Sequence, residues 1–278
     1  CHTDEENSIA YGREAVSRVR IVQSYALNRA EFAYVGTTSR QVAVFLNKHA
    51  LQADKVILTG GIVYHSMAGF GGGRKGIVPG IASYETIQAN HSFCLHEQRG
   101  QGISPFCDSG KLKGNPMHED LMEIAAMLNP AFLLNVVLTP DGEFARFVAG
   151  HWEQAWRSGC QTVTEIYGVP IRAKADVVIA SAGGFPKDVN LYQGTKAADN
   201  ALKACKDNGV IILLLECRDI NEPPDFSSWF EYRSLKDREL ALRKAFTVPG
   251  FVALKNGHDF AARPHILVTL PENKAFAE

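Results

Sequence analysis

The residues best suited to chemistry lie around a glycine-rich segment in the first third of the chain. An apolar run, Val56-Ile57-Leu58, predicts a buried strand of a parallel sheet, and six glycines follow it between positions 60 and 73. His65, Lys75 and His91 lie within or soon after those glycines. Imidazoles and a primary amine can ligate metal, move protons or act as nucleophiles. Because ligands bind at the carboxyl ends of strands in open α/β sheets, we expect the functional site in this segment.

The glycines match the dinucleotide-binding pattern G-x-G-x-x-G as a string, at Gly71, Gly73 and Gly76. A Rossmann turn must open a helix, and Pro79-Gly80 follows too closely for one to form. Arg74 also stands where the P-loop pattern requires glycine. Glycines this dense predict close approach of the backbone to a ligand, with successive N–H groups forming an anion nest. Arg74 and Lys75 would add charge for a phosphate or carboxylate; the alternative is a mobile loop with solvated basic ends.

Taken singly, the two histidines have a simpler interpretation, because a lone histidine in such a place is more often a hydrogen-bonded packing residue than a ligand. Cys94 and His96, near His91, do not complete a zinc pattern. A lysine within reach of two imidazoles is a more specific arrangement. A low-dielectric pocket with adjacent cations lowers the pKa of a lysine and makes its amine a nucleophile, so Lys75 is a candidate for covalent chemistry.

A second group of polar residues follows a later predicted strand, which ends at Gly183-Gly184. Gln193 and Lys196 are three positions apart at the start of the next helix, so they share a face, and a helix N-terminus favours anions. The alternative is an ordinary solvated first turn. Asp188 and Asn190 are more simply helix caps.

Composition restricts the class of protein. The chain has 278 residues, 46% hydrophobic and 21% charged, with a formal net charge of −1, which is typical of a globular protein of one or two domains. Neither a basic stripe nor an apolar run of membrane-spanning length is present, so we expect neither nucleic acid nor membrane as a partner. Six scattered cysteines without C-x-x-C spacing indicate reduced thiols and a cytoplasmic location. Because the chain starts at Cys1-His2 without an initiator methionine, we expect an N-terminal part to be missing.

Periodicity and punctuation predict an α/β chain of two domains, residues 1–170 and 171–278. Thr3 and Glu6 form a capping box for the first helix. In the first domain we expect helices at about 3–17, from Ser83 past His91, and at 118–128 and 150–159, with strands at 19–22, 32–35, 56–58, 132–138 and 144–148. In the second we expect strands at 176–180, 210–215 and 266–269 and helices at 191–206, 227–233 and 236–246. Residues 42–46 fit strand or helix, and the polar stretch 98–116 predicts a lid or binding loop.

The central segment resembles the nickel-dependent lactate racemase family. The matching string is Gly60-Gly61-x-x-x-His65-x-x-x-Gly69-Phe70-x-Gly72-Gly73-x-Lys75-x-x-x-Pro79-Gly80, with His91 sixteen residues after Lys75. Further matches follow in the same order along most of the chain: Val35-Gly36-Thr37-Thr38-Ser39, Gly114-Asn115-Pro116, Asn135-Val136-Val137-Leu138, Gly183-Gly184-Phe185-Pro186-Lys187-Asp188 and Leu191-Tyr192-Gln193-x-x-Lys196-Ala197.

This resemblance implies a cofactor. In that family a nickel pincer nucleotide, derived from nicotinic acid, is tethered to a lysine through a thioamide, and the matching residue is Lys75. The nickel is held by the pincer and by one histidine, which matches His91. The glycine loop at Gly71, Gly72 and Gly73, with Arg74, would take the nucleotide phosphate. Enzymes that mature the cofactor are implied partners.

The resemblance also implies roles in catalysis. Two histidines, matching His2 and His65, exchange the substrate hydroxyl proton, one for each enantiomer, while hydride moves from the α-carbon to the pincer ring and leaves a 2-oxo acid. Gln193 and Lys196 match residues that orient the substrate. His2 is the departure: it abuts Thr3, whereas the family has further residues between this histidine and the threonine, and the family segment before it is absent.

We therefore expect two α/β domains with a cofactor and substrate cleft between them, acting as a racemase or epimerase of a 2-hydroxy acid such as lactate. Two other functions remain open. One is a nicotinamide-dependent 2-hydroxyacid oxidoreductase that uses Gly71, Gly73 and Gly76. The other is a non-catalytic relative that binds a small acid or a metal.

Overall fold

The computed structural model describes residues 2–277, with side chains through residue 275. The chain divides into two compact units. The first comprises Cys1–Asn90 and Phe106–Gly168, and the second comprises His91–Pro105 and Val169–Glu278. The later division falls close to the domain boundary expected at 170/171, but assignment of residues 91–105 to the second unit was not anticipated.

The first unit is an α/β unit whose main sheet has three strands. Its elements are α1 (Asp4–Tyr11), α2 (Arg13–Arg18), β1 (Phe32–Thr37), β2 (Ala43–Asn47), α3 (Lys48–Leu51), β3 (Ile57–Gly61), β4 (Tyr64–His65), β5 (Gly69–Phe70), α4 (Tyr84–His91), α5 (Pro116–Leu128), β6 (Phe132–Leu138), β7 (Phe144–Gly150) and α6 (Trp152–Tyr167). In the main sheet β3 runs parallel to β6, and β6 runs antiparallel to β7. This order brings the end of β3, where the glycine-rich segment begins, beside Asn135 of β6.

Two helices predicted in this unit have different ends in the structure, and a glycine explains each difference. The helix predicted for residues 3–17 is interrupted at Gly12, which has a φ of 83° and separates α1 from α2. The helix predicted to end at Gly159 continues to Tyr167. Gly159 is needed inside that helix because a Cβ there would lie 2.2 Å from Ile62 Cδ1, so the glycine permits close packing of α6.

The strand predicted at residues 19–22 does not form. Val19 and Val22 are 59% and 46% exposed, so the short apolar run has no buried face to favour a strand. The capping box was predicted correctly: Thr3 Oγ1 accepts the Glu6 N–H at 3.2 Å, and Glu6 accepts the Thr3 N–H at 2.7 Å. Residues 42–46, which fitted strand or helix, belong mostly to β2.

The second unit contains a parallel sheet in the order β10-β9-β8. Its elements are β8 (Ala175–Ser181), α7 (Leu191–Ala204), β9 (Cys205–Leu214), α8 (Pro224–Ser227), α9 (Leu235–Lys244), α10 (Val248–Ala262), β10 (His265–Val268) and α11 (Lys274–Ala277). The β8–α7–β9 crossover was predicted from sequence. Helix α10 was missed because Pro249, Gly250 and Gly257 indicate a loop; Thr247 caps the helix, with proline in its first turn, where it is tolerated.

Residues 96–102 are fixed to α9 within the second unit. The Glu239 carboxylate accepts the N–H groups of Gly100 and Gly102, both at 2.8 Å, and pairs with Arg243 one turn later. Burial opposes ionisation of Glu239, but these N–H groups and Arg243 outweigh it and lower its pKa. The first part of the stretch predicted as a lid or binding loop is therefore anchored to a helix.

Among the described residues, five cysteines are buried thiols that form no disulfide, while Cys1 lies outside that part of the chain. Burial raises the pKa of Cys160 to about 12 and that of Cys217 to about 11, so both remain thiols at neutral pH. Within residues 2–277, no helix is both long enough and apolar enough to cross a membrane.

Candidate active site

The site in the first unit begins with a tight turn that holds His65. Strands β4 and β5 form a two-residue ladder in which His65 pairs with Gly69. The Nδ1 atom of His65 accepts the N–H groups of Met67 at 3.2 Å and Ala68 at 3.1 Å. An imidazole nitrogen that accepts hydrogen bonds carries no proton, so the neutral ring has its proton on Nε2.

The glycine-rich segment follows β5 directly, and its backbone is bound by the protein. The Gly71 N–H donates to Val63 O at 2.8 Å, the Gly73 N–H donates to Asn135 Oδ1 at 2.8 Å, and the Lys75 N–H donates to Gly72 O at 3.0 Å. The predicted nest of successive free N–H groups is therefore wrong for these three positions. A rigid loop replaces it, because each of these polar groups has a fixed partner.

Two glycines of this loop are required by both conformation and space. Gly72 and Gly73 have φ values of 66° and 51°, in the left-handed region. A Cβ on Gly72 would lie 2.8 Å from Gly61 O, and one on Gly73 would lie 2.6 Å from Trp156 Cδ1. Both glycines thus allow the chain to pack against itself; that a ligand also needs them remains a prediction.

Gly73→Ala is expected to lower the free energy of unfolding by about 2–4 kcal/mol, combining left-handed strain with a clash against a buried ring. Gly142→Ala is the matched control, because Gly142 has a φ of 89° with nothing within 4 Å of an added Cβ. It should cost about 1–2 kcal/mol from strain alone. Urea unfolding of both variants measures the difference, and equal losses would contradict the packing role of Gly73.

Arg74 points into the protein. Its side chain is 1% exposed, Nη1 donates to Phe70 O at 2.9 Å, and Nη2 donates to Ala68 O at 2.8 Å. Burial lowers the pKa of Arg74 to about 9, so the guanidinium stays charged at neutral pH. The expectation that Arg74 meets a nucleotide phosphate does not agree with this placement, because the fork is occupied by loop carbonyls.

Lys75 is half-buried in a single 3₁₀ turn, Gly73–Gly76, and α4 begins at Tyr84. A dinucleotide fingerprint requires its glycines to open an α-helix whose N-terminus meets the pyrophosphate. No α-helix begins at these glycines in the described part of the chain, as predicted from the position of Pro79-Gly80 in the sequence. His65 lies at the end of β4, and Gly71–Gly73 and Lys75 lie in the loop and 3₁₀ turn that follow β5, so these residues belong to one continuous segment of the chain.

His91 is the last residue of α4 and is 3% exposed. The residue before it is fixed within the first unit: Asn90 Nδ2 donates to Asp120 Oδ2 at 2.8 Å and to Met117 O at 3.2 Å. Asp120 also accepts the Thr38 hydroxyl at 2.6 Å, and burial raises its pKa. These contacts on α5 hold the end of α4 and were not identified from the sequence.

Within residues 2–277, no three side chains of His, Cys, Asp or Glu converge as a metal site. His2 is exposed, and its backbone N–H donates to Gln23 Oε1 at 3.4 Å.

In the second unit, Gln193 and Lys196 lie together at the start of α7. Lys196 Nζ donates to Gln193 Oε1 at 2.6 Å, and the Gln193 N–H donates to the cap residue Asn190. Asn190 was correctly predicted as a cap. Asp188 instead is 3% exposed and accepts the N–H of Glu216 beyond β9, so it fixes the loop before α7 and is not the helix cap.

Two family models match this chain. The lactate racemase N-terminal domain matches residues 1–102, and the lactate racemase C-terminal domain matches residues 171–248, which together exceed half of the chain. The chain belongs to the lactate racemase family. The lactate racemase of Thermoanaerobacterium thermosaccharolyticum is 38% identical over 229 residues, and that of Lactiplantibacillus plantarum is 37% identical over 218 residues.

These alignments cover 82% and 78% of this chain but 52% and 50% of the relatives, so the chain spans about half of their length. The lactate racemase apoprotein structure from T. thermosaccharolyticum matches with a TM-score of 0.87 and 32% identity, over 99% of this chain and 66% of that one. A Thermotoga maritima protein matches with a TM-score of 0.67 at 17% identity, over 99% and 74% of the two chains, and shows a shared α/β fold.

Proposed function

We propose that this member of the lactate racemase family acts in the racemisation or epimerisation of a 2-hydroxy acid, with a nickel pincer nucleotide tethered to Lys75. The observation that carries the proposal is the placement of Lys75 on a rigid loop that starts at the His65 turn, in a chain of this family. Lactate is the substrate named for the two relatives, and a related 2-hydroxy acid is equally compatible with these residues.

The residues fit such a cofactor. A primary amine is the group needed for a thioamide tether, and Lys75 supplies it. His91 supplies one imidazole, which suits a metal that takes its other ligands from an organic group. When bound, the pincer nucleotide supplies an acceptor and donor of hydride for the α-carbon of the substrate.

The chain's own residues then handle the substrate and its proton. The Lys196 ammonium, oriented by Gln193, would bind the carboxylate of the acid and keep it in place during inversion. His65 and His2 would exchange the hydroxyl proton from opposite sides, one for each enantiomer. These assignments are proposals that follow the family resemblance.

The turn at His65 sets a condition on proton transfer through Nε2. Accepting a proton there requires Nδ1 to carry one, and a protonated Nδ1 cannot accept the N–H groups of Met67 and Ala68. In the conformation described, the neutral ring carries its proton on Nε2, so that nitrogen can donate a hydrogen bond but cannot accept a proton. The His65–Ala68 turn must therefore open when the ring acts as a base.

The direct test is peptide mass spectrometry, with nickel analysis, of protein co-produced with the enzymes that mature the cofactor. A nucleotide-sized adduct is expected on the Lys75 peptide, and Lys75→Ala should abolish both the adduct and racemisation. Lys113→Ala, an exposed lysine in the same unit, is the control and should keep both. An unmodified Lys75 under conditions that load an established family member would overturn the proposal.

The same experiment separates the alternatives. Tight binding of a nicotinamide cofactor with net formation of a 2-oxo acid would favour the oxidoreductase, although the 3₁₀ turn after Gly73 lacks the helix that such a site needs. Binding of a small acid without any adduct would favour a non-catalytic relative. We place the protein in the cytoplasm, with the maturation enzymes as partners, on the basis of its buried thiols, which form no disulfide, and of the proposed cofactor.

A further inference from the structure

Arg74 is a buried cation beside the predicted attachment lysine, Lys75. Its guanidinium donates to the carbonyls of Phe70 and Ala68, which lie four and six positions earlier, so the side chain closes the loop onto itself. In the part of the chain that the structure describes, no carboxylate forms an ion pair with Arg74, and Nε has no hydrogen-bond partner. Burying a cation in this way is costly, and an apolar side chain would fill the same space.

Trp156 of α6 completes the arrangement. The Arg74 guanidinium lies 3.9 Å from the centre of the indole, and the indole Nε1–H donates to Gly71 O at 2.9 Å. Trp156 is fully buried, and its ring occupies the space that a side chain on Gly73 would need. Three loop carbonyls, those of Ala68, Phe70 and Gly71, are therefore bound by two side chains.

The two-residue pairing of β5 with β4 satisfies only the start of this loop, so the shape of the rest depends on these side chains. Consecutive residues of a 3₁₀ turn point about 120° apart, so an inward Arg74 directs Lys75 away from the indole. The guanidinium of an arginine can donate to two carbonyls at once, whereas the ammonium of a lysine at this position would bind only one of them.

We propose that Arg74 and Trp156 form a brace that fixes the Ala68–Lys75 loop and so presents the Lys75 amine for cofactor attachment. Arg74 is then a positioning residue and does not bind the cofactor phosphate. The effect on attachment rests on the proposed function; the effect on loop rigidity does not.

Hydrogen exchange of the apoprotein, measured by mass spectrometry on peptides containing Gly71, Gly73 and Lys75, tests the brace. Arg74→Met removes the fork while keeping the bulk, Arg74→Lys keeps the charge, and Trp156→Phe removes only the bond to Gly71 O. Each should speed exchange of these amides about tenfold or more, as expected for loss of at least one buried hydrogen bond. Arg157→Gln is the control, because Arg157 lies next to Trp156 on α6 but is half exposed and pairs with Glu153. This variant should leave the exchange rates unchanged.

Occupancy of the Lys75 adduct in co-produced protein tests the consequence. It should fall several-fold in the Arg74 and Trp156 variants at temperatures well below Tm, because a mobile amine is poorly positioned. Val44→Ala, a fully buried site on β2, should lower Tm without lowering occupancy. Wild-type exchange rates in Arg74→Lys and Trp156→Phe, or full occupancy in every folded Arg74 variant, would overturn the inference. An unmodified wild-type Lys75 alongside faster exchange in the variants would instead refute the proposed function and leave the brace standing.

Discussion

His65→Asn is expected to lower racemisation about 10²- to 10⁴-fold, the range typical for loss of a positioned acid–base group. The variant is chosen for its geometry. Asparagine Oδ1 occupies a position close to that of histidine Nδ1 and can accept the N–H groups of Met67 and Ala68, so the turn is kept. The variant lacks only an equivalent of Nε2, the nitrogen proposed to exchange the proton. A loss of this size in a folded variant would therefore report on proton exchange and not on the turn.

The loss must be equal for the two enantiomers. Two enantiomers have the same free energy, so the ratio of kcat/KM in the two directions is fixed at unity for any variant. Rates measured from each pure enantiomer by chiral chromatography give both values. His49→Gln, an exposed histidine in the same unit, is the control and should match wild type. Retention of wild-type rates by His65→Asn would remove His65 from the chemistry.

Local rules predicted much of the fold. The capping box at Thr3, the strand at β6 and the β8–α7–β9 crossover follow from interactions within a few residues or from one clear hydrophobic period. The failures occurred where a distant contact decided the outcome. Gly159 marked a helix end by sequence, but close packing against Ile62 keeps it inside α6.

The site shows the same division. His65, Lys75 and His91 were proposed as site residues from their types, their spacing and the family resemblance, none of which needs tertiary information. The sequence could not show that Asn135 and Val63 already bind the loop N–H groups, because both partners come from other parts of the chain. Arg74 was misread for this reason: a basic residue among glycines suggests a phosphate, and only the position of Trp156 shows that it turns inward.

The second large effect is a loss of stability in mild acid that originates at His118 of α5. This imidazole is 4% exposed and stacks on the face of Trp156, with ring centres 5.6 Å apart. Among the described residues its Nδ1 has no hydrogen-bond partner. Burial, and then the positive charges of Arg74 and Arg157, lower the pKa of His118 from 6.5 to about 3.

Unfolding in mild acid takes up a proton at His118, because the pKa of this group is lowered in the folded protein. Between pH 6.5 and pH 3 the unfolded chain binds a proton at His118 that the folded chain does not, so stability falls as the pH is lowered through this window. From pH 7 to pH 5 the expected loss is about 2 kcal/mol, since each pH unit below the unfolded pKa contributes about 1.4 kcal/mol. Carboxylates with lowered pKa values contribute mainly below this range.

His118→Phe isolates the effect, because phenylalanine keeps an aromatic ring against Trp156 and does not titrate. Urea unfolding of both proteins at pH 7 and pH 5 should show about 2 kcal/mol less acid destabilisation in the variant. His258 is the competing group, since burial also lowers its pKa. If the free energy of unfolding of His118→Phe depended on pH as that of the wild type does, His258 and not His118 would account for the acid destabilisation. The buried imidazole of His118 would then have to accept a proton at far less cost than its surroundings indicate.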